Sequence, residues 1–214
     1  MPSIMSSKPG TGTTRTISVR ERMVRSAADL IRTKGVSGTS LREVVAHADA
    51  PRGSLQHYFP GGKDQLVTEA LLWMGAVAGR RVFRFADRLD EPTPGRLLVA
   101  MVEDWRTLFR AAGYAAGCPL VAAAADVAAT SDELRAVISR AFDGWQDPLA
   151  SALIEMGVPA ARATSLAMLM ISAVEGAVVL ARARRDLAPL DAVAQELAPM
   201  LDAAVGGPRR RRQR

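Results

Sequence analysis

The sequence predicts an all-α protein of about nine helices, three short ones near the N-terminus followed by a bundle of longer ones. Two observations predict this. Apolar residues make up 49% of the 214 but aromatics only 5%, and Ala and Leu, which lead the helix scale, stand in for the aromatics that strands favour. Apolar positions also recur at helical spacing, with no strand-period alternation and no internal repeat.

Residues 1–15, mostly Ser, Gly, Thr and Pro, read as a disordered arm. Ser18 and Glu21 have capping-box spacing and open a first helix, with Met23, Ala27, Leu30 and Ile31 as its buried stripe. Gly35 stops it. Ser40 and Glu43 repeat the spacing and open a second, short helix buried through Leu41, Val44, Val45 and Ala48. Asp49-Ala50-Pro51 is a tight turn into a third helix over Arg52–Phe59, which ends at Pro60-Gly61-Gly62. A long helix runs from Lys63 towards Leu89, and Pro92 to Gly95 breaks it. The next spans about 96–112, and Pro119 opens a short Ala-rich helix to Ala129. Ser131 caps another, with Pro148 expected to kink or interrupt it. Gly157-Val158-Pro159 leads into the most apolar helix, and Asp186 to Pro189 separates a last one, to about Val205.

Composition excludes several classes. One cysteine, Cys118, and two histidines, His47 and His57, allow neither a disulfide scaffold nor a multi-cysteine or histidine-rich metal centre. No metal, cofactor or catalytic group is expected. The N-terminus has no apolar core of a signal peptide. The stretch 163–181 carries Glu175, which argues against a membrane span and for a cytoplasmic protein. Charge is uneven: residues 1–63 carry a net +6, residues 64–205 a net −5, and the tail 206–214 a net +5. A basic N-terminal module points to a polyanion partner, most simply nucleic acid.

Three short helices, the last two joined by a few residues, follow the helix-turn-helix plan, in which the later helix enters the major groove. The third helix suits that role. Arg52 can bond a guanine edge or a phosphate, Gln56 an adenine or a phosphate, and Ser54 either. His57 and Tyr58 carry polar tips, and Gly53 allows close backbone approach. Thr39 and Ser40 can offer a hydroxyl and backbone donors to a phosphate. His57 beside Ser54 lacks a third orienting group and an oxyanion site, so it is not read as catalytic. His47 reads as a surface or packing residue. The alternative is a helical ligand- or partner-binding module whose basic N-terminus reads no operator.

The run from Thr39 to Phe59 and Lys63-Asp64-Gln65-Leu66 resemble the DNA-binding domain of TetR-type repressors. The double glycine before Lys63, Gly117-Cys118-Pro119, the run Val174 to Ala183 and Arg185-Asp186 resemble its LmrA/YxaF-like branch. The resemblance implies a homodimer with a helix-turn-helix domain over 16–62 that binds a double-stranded DNA operator. It implies a ligand-binding and dimerisation domain over 63–205, with a small-molecule effector. Thr39, Arg52, Ser54, Gln56, His57, Tyr58 and Lys63 fall at or near DNA-contacting positions. The family usually has Gly at 49, Tyr at 56 and His at 58; Asp49, Gln56 and Tyr58 depart from it and point to altered operator preference. Asp49 is placed to orient Arg52.

Candidate pocket residues are Trp73, Met101, Trp105, Phe109, Phe142, Trp145, Met168 and Met170, with Cys118 and Glu175. Cys118 reads more readily as a core thiol than as a redox sensor. Glu175, in the most apolar helix, is expected to pair with an arginine such as Arg182 or Arg184, or to face a polar ligand or the dimer partner. Ala167, Ala173, Gly176 and Ala177 would let a partner helix approach in a four-helix dimer interface.

Overall fold

The computed structural model describes residues 17–206. The expected N-terminal arm and the arginines of the tail lie outside them. The described residues form nine α-helices and no strand: α1 (Val19–Lys34), α2 (Leu41–His47), α3 (Ser54–Tyr58), α4 (Gly62–Ala86), α5 (Pro94–Ala112), α6 (Pro119–Val127), α7 (Asp132–Glu155), α8 (Ala160–Arg184) and α9 (Ala188–Asp202). A 3-10 turn at Gly113–Ala115 follows α5.

Local chemistry sets the ends of the first helices. Ser18 Oγ accepts from the Glu21 amide at 3.1 Å, but only this half of the expected capping box forms. The Glu21 carboxylate turns to Arg25 instead, at 2.6 Å, a pair one helical turn apart. At α2 the box is complete. Gly35 ends α1 at φ 74°, a left-handed conformation that glycine adopts without a Cβ clash. Helix α3 is shorter than the expected Arg52–Phe59. Both the amide and the hydroxyl of Ser54 turn back to the Pro51 carbonyl, at 2.9 and 2.6 Å, which keeps residues 51–53 in a turn.

Two apolar cores share one spine. The first joins Met23, Ala27 and Ile31 of α1, Val44 and Val45 of α2, and Phe59 to the start of α4, to α6 and to the start of α7. The second joins the end of α4 and the rest of α7 to α5, α8 and α9. Helices α4 and α7 therefore run through both. They cross closely because Gly75 and Gly79 present no side chain: a Cβ at Gly75 would fall inside the Ala141 backbone, and one at Gly79 inside the Gly144 carbonyl and the Pro148 ring. Pro148 was expected to kink or interrupt α7, yet the helix is continuous over Asp132–Glu155. Pro148 cannot donate to the carbonyl four residues back, and that carbonyl, Gly144, is the one lying against Gly79.

Helix α8 is long and apolar enough to cross a membrane by composition. One face of it, including Ala163, Ala167, Met170, Val174 and Val178, is packed in the second core. The outward face carries exposed Met168, Leu169, Val179 and Leu180. The small residues divide between these faces. Ala167 and Ala177 are buried against their own chain, whereas Gly176 faces open space.

Candidate DNA-binding surface and ligand cavity

The helix-turn-helix is anchored from behind. Arg22 on α1 donates from Nε to the Ala48 carbonyl and from its guanidinium to the Asp49 carbonyl, both at 3.0 Å. This holds the turn between α2 and α3. Asp49 itself sits at φ 47°, a left-handed conformation that short polar side chains tolerate better than most. Among the described residues no ion pair joins Asp49 to Arg52, so the expected orienting contact is absent.

Arg52, Gly53, Gln56 and His57 are exposed together on and before α3. Tyr58 is half-buried against the first core and meets the His57 ring edge-on, with centroids 4.8 Å apart. Ser54 is half-buried, with its hydroxyl donated to Pro51. Gly53 has φ −75°, and a Cβ there would meet nothing within 4 Å. The fold therefore does not require glycine at this position.

Thr39 and Ser40 serve mainly the fold. Thr39 is 3% exposed, and its hydroxyl donates to the Gly35 carbonyl at 2.7 Å. The hydroxyl and amide of Ser40 are engaged with Glu43 in the capping box. The Thr39 hydroxyl is thus not presented outward as expected. Lys63 is half-buried at the start of α4 and helps Asp126 to stay charged.

A second site lies in the other half of the molecule. A cavity of about 70 Å³ opens between α4, α5, α7 and α8. Of the pocket candidates, Met101, Trp105, Cys118, Trp145 and Glu175 line it. Phe142, Met168 and again Glu175 line an adjoining open groove of about 330 Å³. Three candidates fall elsewhere. Trp73 packs under the Arg25 guanidinium, 5.5 Å from the ring centroid, outside both spaces. Phe109 stands behind the cavity in an aromatic row with Trp105 and Tyr114. Met170 is fully buried core. The wall from α4, including Met74, Val77, Arg81 and Phe85, was missed. Its apolar spacing is visible in the sequence, but the same spacing would serve an ordinary core.

Glu175 is 6% exposed, and neither carboxylate oxygen has a hydrogen-bond partner among the described residues. Burial raises its pKa to about 7, while the neighbouring Cys118 thiol favours the charged form. The expected arginine pairing fails for Arg182, whose Nε and terminal nitrogen donate to the Tyr114 and Ala115 carbonyls at 3.3 and 2.9 Å. Those carbonyls close the turn after α5. Burial, and then the charge of Glu175, push the Cys118 thiol well above its ordinary range, so it rests as a protonated core thiol.

Two family profiles match the chain. "Bacterial regulatory proteins, tetR family" covers residues 24–70, and "Transcriptional regulator LmrA/YxaF-like, C-terminal domain" covers residues 94–196. An HTH-type transcriptional regulator of Mycobacterium tuberculosis is 43% identical over 188 residues, 85% of this chain and 93% of its own length. The chain belongs to the TetR family of transcriptional regulators. HTH-type transcriptional regulator LmrA of Bacillus subtilis is 26% identical, over 80% of this chain and 90% of its own. The crystal structure of a TetR transcriptional regulator from Legionella pneumophila superposes with a TM-score of 0.74 at 19% identity, covering 88% of this chain and all of that one. In TetR terms, residues 24–70 contain α2, α3 and the start of α4, and residues 94–196 contain α5 to α8. The left-handed Asp49 also gives a physical reason for the glycine usual at that position in TetR-type domains.

Proposed function

We propose that this chain is a homodimeric repressor that binds a near-palindromic double-stranded DNA operator through α3 and is released by a small hydrophobic molecule. The observation that carries this reading is mechanical. The helix-turn-helix meets the cavity wall at a polar seam, where Arg32 of α1 donates from Nε to the Gly117 carbonyl at 3.1 Å and Gly117 donates back to the Arg32 carbonyl at 3.2 Å. Arg32 and Cys118, the residue after Gly117, both line the cavity. A ligand that moved this wall would therefore move α1 and the helices packed on it.

Repression requires the two α3 helices of a dimer to meet successive major grooves, roughly 34–36 Å apart. Ligand favours a spacing that no longer matches, and the loss of operator affinity equals the coupling free energy between the sites. The exposed apolar residues of α8, with Gly176 among them, are the surface assigned to the partner subunit. On this reading the protein is cytoplasmic and acts by binding.

The test is binding of the purified protein to its own upstream intergenic DNA against a scrambled duplex at two salt concentrations. Selective binding that survives the higher salt is expected. Equal, salt-labile binding to both duplexes, and to genomic fragments, would favour a helical binding module with no operator.

A further inference from the structure

We propose that the cavity selects organic cations: an ammonium or comparable charged head on an apolar body, with the head received by Glu175. The proposal rests on reading the cavity as the effector site and adds the chemical class of the effector.

A buried carboxylate without a hydrogen-bond donor is costly; neither oxygen of Glu175 has one of ordinary geometry among the described residues, and the neighbouring Cys118 thiol is the group that favours its charge. The cations near the cavity are engaged elsewhere. Arg32 donates to the Gly117 carbonyl, Arg81 pairs with Asp104 at 2.9 Å, and Arg182 holds the turn after α5. The charge of Glu175 is therefore open to a ligand. The walls complete the chemistry of a cation site, because Trp105, Trp145 and Phe85 face the same cavity and aromatic faces attract ammonium groups. Position adds a second argument. Glu175 lines both the cavity and the adjoining groove, so its carboxylate is the charged group common to the two spaces.

The charged and titratable groups facing the cavity are Arg32 from α1, Arg81 from α4, Asp104 from α5, Cys118 before α6 and Glu175 from α8. Helix α7 contributes Trp145 there and Gln146 at the groove, neither of them charged. Burial pushes the Glu175 carboxyl up to about 7, so its charge changes near neutrality. A permanent cation binds the ionised form, so its affinity falls with acidification through that range.

The experiment uses the full chain, with operator binding followed in parallel. Isothermal titration compares benzyltrimethylammonium with its neutral isostere, in which carbon replaces nitrogen, at pH 6, 7 and 8. The cation is expected to bind more tightly than the isostere at pH 8 and about tenfold more weakly at pH 6 than at pH 8, following the ionised fraction of one carboxyl. Glu175→Gln is expected to lose that preference and its pH dependence while still binding the isostere. Should this variant fail to fold, the pH profile of the wild-type protein decides alone. Equal, pH-independent binding of both probes would leave a ligand cavity without charge selection and overturn the proposal. Binding of neither probe by protein that still recognises its operator would overturn the proposal and leave the repressor reading standing.

Discussion

Arg32 and Gly117, 85 positions apart in the chain, exchange two hydrogen bonds: side chain to carbonyl at 3.1 Å and amide to carbonyl at 3.2 Å. Beside them Asp126 of α6 accepts from the Ser37 amide at 2.7 Å and the Ser37 hydroxyl at 2.8 Å. Together these contacts tie α1 and the turn after it to the segment around Gly117 and to α6 through polar groups. In the proposed repressor they are the route by which a displaced cavity wall would reach the N-terminal helices.

Asp126→Ala tests this seam away from the cavity. Loss of two charge-assisted hydrogen bonds at a partly exposed carboxylate is expected to cost about 1 kcal/mol in denaturant unfolding. The Ser37 amide is the main cause of the lowered Asp126 pKa. The contribution of Asp126 is therefore fully present above the ordinary carboxylate pKa and lost as pH falls through the lower folded value. The stability difference between wild type and variant should vanish in strong acid. A difference that grew with acidification would contradict the assignment.

Glu175 has the opposite sign. Burial raises its folded pKa to about 7, above the ordinary carboxyl value of 4.5, so between the two the folded state holds a proton that the unfolded state has released. Stability should decline as pH rises from about 4.5 to about 7 and level off above that, by about 3 kcal/mol at most. Glu175→Gln should remove this decline and be the more stable protein at pH 8. Urea unfolding at pH 5 and pH 8 measures both.

Two glycines separate folding from DNA reading. Gly75→Ala places a methyl group inside the Ala141 backbone and is expected to cost about 1–3 kcal/mol or more. Gly53→Ala has open space at an ordinary φ, so thermal stability should move by less than about 0.5 kcal/mol. Its operator affinity should fall, because the added methyl sits on the surface assigned to the DNA. Unchanged affinity would mean that this backbone does not approach the duplex.

Arg52→Ala is expected to weaken operator binding by about 1–3 kcal/mol at fixed salt. The salt dependence then sorts its role. A slope reduced by about one identifies a phosphate contact, whereas an unchanged slope with relaxed preference at one base pair identifies a base contact. Gln56→Ala should relax preference at a neighbouring position if Gln56 reads adenine. Competition binding with single-base operator variants supplies the readout.

Much of this was legible in the residues. Ser18, Ser40 and Ser131 all cap helices, and capping depends on neighbours three positions away, so it can be read locally. The sequence does not show that the Thr39 hydroxyl donates to the Gly35 carbonyl, a contact that exists only once the α1–α2 turn has closed. Pro148, read as a kink or a break, does not interrupt α7, which stays continuous across it where it packs on α4. Phe109, Met170 and Trp73 carried the same signal as true cavity residues.

The order of the helices, their caps and the exposed face of α3 follow from short-range chemistry, which a linear chain displays openly. Which side chains surround a void does not. The inner cavity is formed where α4, α5, α7 and α8 meet α1 and the start of α6, by residues from Arg32 to Glu175. Glu175 is left without a partner there because packing directs Arg182 to the turn carbonyls instead. Helix periodicity can say that a face is apolar. Only the distances between distant segments decide whether that face meets another side chain, a partner subunit or empty space.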